Sequence, residues 1–181
     1  MRRSILWTRL DRPGHEAARL VETAQINELS GAAVFVEDAV PVSLRYRIVC
    51  GEDWATRSVT VRGWIGESDV SIDIAVSLGE WSLNGSPVPA VAGCADVDLH
   101  FSPSTNLLPI RRLQLGVGQS AAVRAAWLRF PSFELEVLEQ TYSRVERDLY
   151  RYESAGGRFT AELRVNEAGF PVDYAGVWRA V

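Results

Sequence analysis

The chain of 181 residues predicts an all-β fold, an antiparallel sandwich or barrel, on three observations. Apolar residues recur with period two along most of its length. Turn signals separate these runs at short intervals. Only two stretches carry the i, i+3, i+4 spacing of an amphipathic helix.

Taken in order, the chain begins with the short apolar run Ile5-Leu6-Trp7. The first helix-like stripe follows, at Ala17, Leu20, Val21 and Ala24, and it is assigned to a strand because its neighbours are strands. Leu44, Tyr46, Ile48 and Cys50 share one strand face. Val59, Val61 and Ile65 alternate with Ser58, Thr60 and Trp64, and Val70, Ile72, Ile74 and Val76 alternate with Asp69, Ser71 and Asp73. Gly66-Glu67-Ser68 turns the chain between these two runs. Asn84-Gly85 marks a hairpin, since both central residues of a type I′ turn need positive φ.

In Asp96–Phe101 a strand would point Val97, Leu99 and Phe101 one way and Asp96, Asp98 and His100 the other. Ser102–Asn106 reads as a polar turn. Pro109 then opens a strand in which Arg111 shares a face with Leu113 and Leu115. After Gly116-Val117-Gly118, the second helix-like stripe (Tyr142, Val145, Leu149, Tyr152) is assigned to strand for its tyrosines. Gly156-Gly157 precedes the alternating run Phe159, Ala161, Leu163, Val165, and Glu167-Ala168-Gly169 makes a last turn.

Composition bounds function. With 47% apolar and 23% charged residues the chain is globular, not disordered or fibrous. All 19 basic residues are Arg, which excludes a lysine Schiff base. A net charge of −4 argues against free nucleic acid or an anionic membrane surface as the default partner. Cys50 and Cys94 lack CxxC spacing and read as buried thiols, with a bridge between them still open. The start is too short in apolar residues for a signal peptide, and no run is long enough for a membrane helix, so cytoplasm is the expected compartment. One domain over 1–181 is expected, and no pattern speaks to oligomeric state.

Asp96-Val97-Asp98-Leu99, followed by Ser102-Pro103-Ser104-Thr105-Asn106-Leu107-Leu108-Pro109-Ile110-Arg111-Arg112-Leu113, resembles the central signature of the glycolipid-binding family, a bacterial group long carried as a domain of unknown function. Supporting matches run in order along the chain: Ile5-Leu6-Trp7; Tyr46, Asp53-Trp54 and Arg57; Gly79-Glu80-Trp81 and Asn84-Gly85; Gln140-Thr141-Tyr142, Tyr150-Arg151-Tyr152 and Asp173-Tyr174. The chain departs from the pattern at Ser104, where a larger residue is expected, and at Asn166, which replaces an acid. The resemblance implies a many-stranded barrel with an apolar cavity, similar in shape to bacterial lipoprotein-localisation carriers, and a role in binding or moving a glycolipid. It brings no catalytic residues with it.

Each candidate has a plain structural reading beside the functional one. Asp96 and Asp98 would lie about 7 Å apart on one strand face, a spacing compatible with inverting glycoside hydrolysis or, with His100, a metal site; a solvated acidic face is the commoner meaning. Arg111 is expected inside, bridged to Asp96 or Asp98, because a buried guanidinium needs a partner. Among the six Trp residues, Trp54 and Trp81 lie in turn regions suited to a cavity mouth. No GxSxG, Gly-rich phosphate loop or HExxH occurs.

The reading is non-catalytic binding of an amphiphile, a glycolipid or fatty-acyl compound. Its candidate ligand residues are Trp54, Arg57, Trp81, Asp96, Asp98, Asn106, Arg111, Tyr142 and Tyr152, with no cofactor and no metal. The alternatives are a small hydrolase or lyase using Asp96 or Asp98, and a scaffold without ligand.

Overall fold

The computed structural model describes residues 1–181. Fifteen strands are present: β1 (Arg2–Arg9), β2 (Gly14–Glu22), β3 (Asn27–Glu37), β4 (Val40–Cys50), β5 (Thr56–Ile65), β6 (Ser68–Ser77), β7 (Glu80–Leu83), β8 (Ser86–Pro87), β9 (Asp96–Leu99), β10 (Ser120–Arg129), β11 (Glu134–Arg144), β12 (Leu149–Ser154), β13 (Phe159–Val165), β14 (Pro171–Tyr174) and β15 (Trp178–Ala180). The one α-helix, α1, spans Leu107–Leu113. Both helix-like stripes of the sequence belong to strands, β2 and β11–β12, with only Ala24 and Val145 in the turns that follow β2 and β11.

All fifteen strands form one sheet, in the order β8-β7-β6-β5-β4-β3-β2-β1-β15-β14-β13-β12-β11-β10-β9. Neighbours are antiparallel except β9 and β10, which are parallel. The sheet curls until its far ends meet without a closing ladder. Across the seam Thr56 N donates to Ala95 O at 2.8 Å, Val97 N donates to Thr56 Oγ1 at 3.0 Å, and Trp81 Nε1 donates to Cys94 O at 3.1 Å. Asn84 and Gly85, at φ 49° and 81°, make the turn that their dipeptide predicts. Asp38 and Ala39 also make a positive-φ turn (47° and 66°), although that pair carries no glycine signal.

The interior holds two apolar clusters. The larger, of 32 residues, covers the inner faces of β1–β7 and takes in Val97, Leu99, Ala126 and Leu128. The smaller, of nine, gathers Ile110, Leu115, Val123, Ala125, Tyr142, Tyr150, Tyr152, Leu163 and Val165. Strand β10 serves both clusters, Ala126 and Leu128 the larger and Val123 and Ala125 the smaller. Its parallel partner β9 gives Val97 and Leu99 to the larger, and Asp96 on the same strand is 1% exposed rather than solvated.

The segment after β9 corrects two expectations. Ser102–Asn106 is a buried 3-10 turn over Pro103–Asn106, opened by Ser102 Oγ accepting from Ser104 N at 3.1 Å. Pro109 and Arg111 belong to α1, not to a strand. Pro109 falls in the first turn, where its missing N–H has no intrahelical acceptor to lose. Leu107 and Ile110, one turn apart, are buried together with Leu108. The helix ends at Gln114 in the left-handed region, φ 46°. The whole segment lies across the concave face: Ser102 and Ser104 meet β2 and β4, and Asn106 meets β11.

Candidate functional site

In the smaller cluster the strand period sets Tyr142 on β11 opposite Tyr152 on β12, their ring centroids 5.1 Å apart. Tyr152 lies edge-on to Phe159 at 6.0 Å and to Tyr174 at 6.2 Å. Tyr142 OH donates to Asn106 Oδ1 at 2.8 Å. Asp98 enters from β9, where Gln140 Nε2 donates to its Oδ2 at 2.6 Å. No cation pairs with Asp98. Burial therefore pushes its carboxyl up to about 6, against the Gln140 bond and with a small further push from Asp96. Burial also raises the hydroxyls of Tyr142, Tyr152 and Tyr174, and the Asp98 charge adds to the rise in all three. Four of the expected ligand residues, Asp98, Asn106, Tyr142 and Tyr152, are thus brought together. Flat ring faces beside a carboxylate and two amides suit the hydroxyls and C–H faces of a sugar.

Beside this packed group lies a cleft of about 1140 Å3 lined by Ile110, Tyr150 and Val165, residues of the same cluster. Its rim carries Arg111, Arg144, Arg147, Asp148, Asn166 and Glu167. Arg144 fixes the loop by donating to the Arg147 carbonyl and, at 2.7 Å, to Leu115 O. Arg111 is not bridged to Asp96 or Asp98, contrary to expectation. On a helix it points toward the turn ends of the sheet, where Nη2 meets Glu22 Oε1 at 2.5 Å, Nη1 donates to Ala168 O at 3.2 Å, and the guanidinium stacks 4.5 Å from the Trp54 ring.

Asp96 takes Arg112 instead, through three hydrogen bonds of 2.6–3.2 Å. Asp96 and Asp98 are therefore unlike: one is neutralised by an arginine, the other is free. The tryptophans expected at a mouth are both buried, Trp54 beneath Arg111 and Trp81 bonded to Cys94 O. Arg57 is exposed and paired with Asp53 at 2.9 Å. His100 lies tilted against Trp127, ring centroids 4.9 Å apart, and accepts from Phe130 N. Cys50 and Cys94 are unbridged and buried. Nowhere do three His, Cys, Asp or Glu side chains converge as a metal site would require.

A second polar cluster pins the crossing segment to the sheet. Glu16 Oε1 accepts from Tyr46 OH and from Ser102 Oγ, both at 2.6 Å, and Ser104 Oγ lies 2.6 Å from the Tyr46 hydroxyl. Burial drives the Glu16 carboxyl up to about 7 despite these bonds, and Oε2 has no partner. Gly31 makes room for the ring, since a Cβ there would lie 2.4 Å from Tyr46 OH.

Gln140, Tyr150 and Tyr174 were not among the expected ligand residues, although Gln140 and Tyr150 share motif fragments with Tyr142 and Tyr152, and Tyr174 closes the fragment Asp173-Tyr174. The partnership of Glu16 with Ser102, 86 residues apart, carries no sequence signal at all.

The profile of the family described as "Putative glycolipid-binding" matches residues 4–180. No curated protein matches the chain. Among solved structures, a DUF1089 family protein from Pseudomonas aeruginosa is similar at 32% identity and a TM-score of 0.80, over 93% of this chain and 92% of that one.

Proposed function

This chain belongs to the glycolipid-binding family, and from that premise we propose that it binds an amphiphile, a glycolipid or fatty-acyl compound, and carries it unchanged. The observation that supports this is Asp98: a carboxylate without a cation, set among three tyrosines beside a cleft with apolar residues in its lining and an arginine rim. Head-group hydroxyls would meet Asp98, Gln140 and the rim, and the tail would lie over Ile110, Tyr150 and Val165. Carriage is favoured over glycoside hydrolysis because Arg112 holds Asp96, which leaves one free carboxylate where that chemistry uses two. The reading puts the protein in the cytoplasm, which two buried unpaired thiols suit.

Titration with a fluorescent acyl probe, competed by defined lipids, tests the reading. Asp98→Asn keeps an acceptor for Gln140 but removes the charge. It should weaken competition by glycosylated lipids about tenfold, the worth of one charged hydrogen bond, while leaving Tm within a few degrees. Lipid co-purified from the host and seen by native mass spectrometry would agree. Turnover of a glycoside panel would replace carriage by catalysis, and the absence of competition by any lipid class would leave only a scaffold.

A further inference from the structure

The outer face of β1–β5 is unlike the rest of the surface. Register places Leu6, Ala17, Ala32, Arg45 and Arg62 in one outward row across the five strands, and His15, Val34, Ser43 and Trp64 in the next. Large apolar side chains stand open to solvent there: Val34 is 56% exposed, Leu6 44% and Trp64 41%. Ser43 separates Val34 from Trp64, and Ala17 and Ala32 lie between Leu6 and the arginines, so the face is apolar and small with basic residues set into it.

Charge on this face opposes that of the whole molecule. The outward positions of β1–β4 carry Arg2, Arg19, Arg45 and Arg47 against a single acid, Glu28, in a protein of net charge −4. Arg47 is held by Glu28 and Arg62 by Asp73, whereas Arg19 and Arg45 have no carboxylate partner. Between these two arginines the small side chains Ala17 and Ala32 leave an open trough of about 990 Å3, with Leu6 on its wall.

We propose that this face docks the protein on an anionic lipid bilayer. Arg19 and Arg45 meet lipid phosphates, while Trp64, Val34 and Leu6 enter the interface, where an indole is at home. The net charge gave no hint of this, because it averages over acids outside β1–β5, including Asp69 and Asp73 on the adjoining β6, opposite Trp64 and Thr60. The inference goes beyond carriage of an amphiphile and uses none of the cleft's residues.

Sedimentation with vesicles tests it. The protein should pellet with phosphatidylcholine vesicles containing phosphatidylglycerol, and not with phosphatidylcholine alone. Added salt should release it. R19Q/R45Q should lose about thirtyfold in affinity, about fivefold for each arginine near a charged surface. Trp64→Ser should weaken binding and abolish any blue shift of tryptophan emission on vesicle addition. All of these side chains are exposed, so Tm should be unchanged. Acyl-probe binding should also be intact in the same variants, which separates failure of this surface from failure of the cargo site. A wild-type protein that stays in the supernatant with both vesicle types overturns the proposal and leaves an acidic protein as the partner for this face.

Discussion

Glu16 is a carboxyl group that water does not reach, and its state couples stability to pH. In the folded protein it holds its proton up to about 7, against 4.5 ordinarily. The native state therefore binds the proton more tightly than the unfolded chain does. The stability this gives is fully present below about 4.5 and is lost as pH rises through 7, a swing of about 3 kcal/mol. Asp98 acts in the same sense between 3.8 and about 6. Urea unfolding should accordingly give a larger free energy at pH 5 than at pH 8. Glu16→Gln should flatten most of that slope. It should exceed the wild type at pH 8, where no buried charge forms. At pH 5 it should fall below it, because an amide N–H would occupy the place where Oε2 has no partner. An unchanged slope would show that Glu16 ionises freely.

Among the elements, α1 depends on one ion pair more than on its own helix propensity. A helix of seven residues is marginal by itself, and Arg112 joins it to β9 through the buried Asp96. Arg112→Ala should cost about 3 kcal/mol, because it leaves a carboxylate at 1% exposure without its cation. Adding Asp96→Asn should recover much of that loss, and urea midpoints of the two singles and the double would show the non-additivity. The need for a partner could be read from the sequence, since neighbouring Asp and Arg residues in an apolar stretch must pair if buried. Which arginine pairs could not. With Pro109 taken as a strand start, Arg111 pointed inward; the helix turns it away to Glu22, 89 residues distant in the chain. The strands were far more legible, because a period of two shows wherever one face is buried and the other is not, as in β6 and β13. Strand β9 and the turn after it were legible as strand and turn, but not their burial: polar side chains suggested a solvated face where both faces are covered. Tyr142 and Tyr152 were legible as candidate residues, but their meeting with Asp98 depends on a parallel pairing that no local pattern announces.

For the molecule as a whole, nearly every strand pairs with its neighbour in sequence, and this is why turn signals alone go far toward the topology. The exception is the pairing of β1 with β15, which joins Trp7 to Ala180 and Arg9 to Trp178 in the interior of the sheet order rather than at its rim. During synthesis on the ribosome, the first strand made must therefore wait for the last. Until then the N-terminal half presents β1 as a bare edge, with the unpaired Trp7 indole that later donates to Pro171 O. A fragment of residues 1–88, which contains β1–β8 entire, should be degraded by protease or aggregate under conditions where the full chain resists, and a stable, soluble fragment would contradict this. A nascent chain of this design stays vulnerable for most of its translation, and slow codons late in the message would lengthen that exposure rather than help the chain fold.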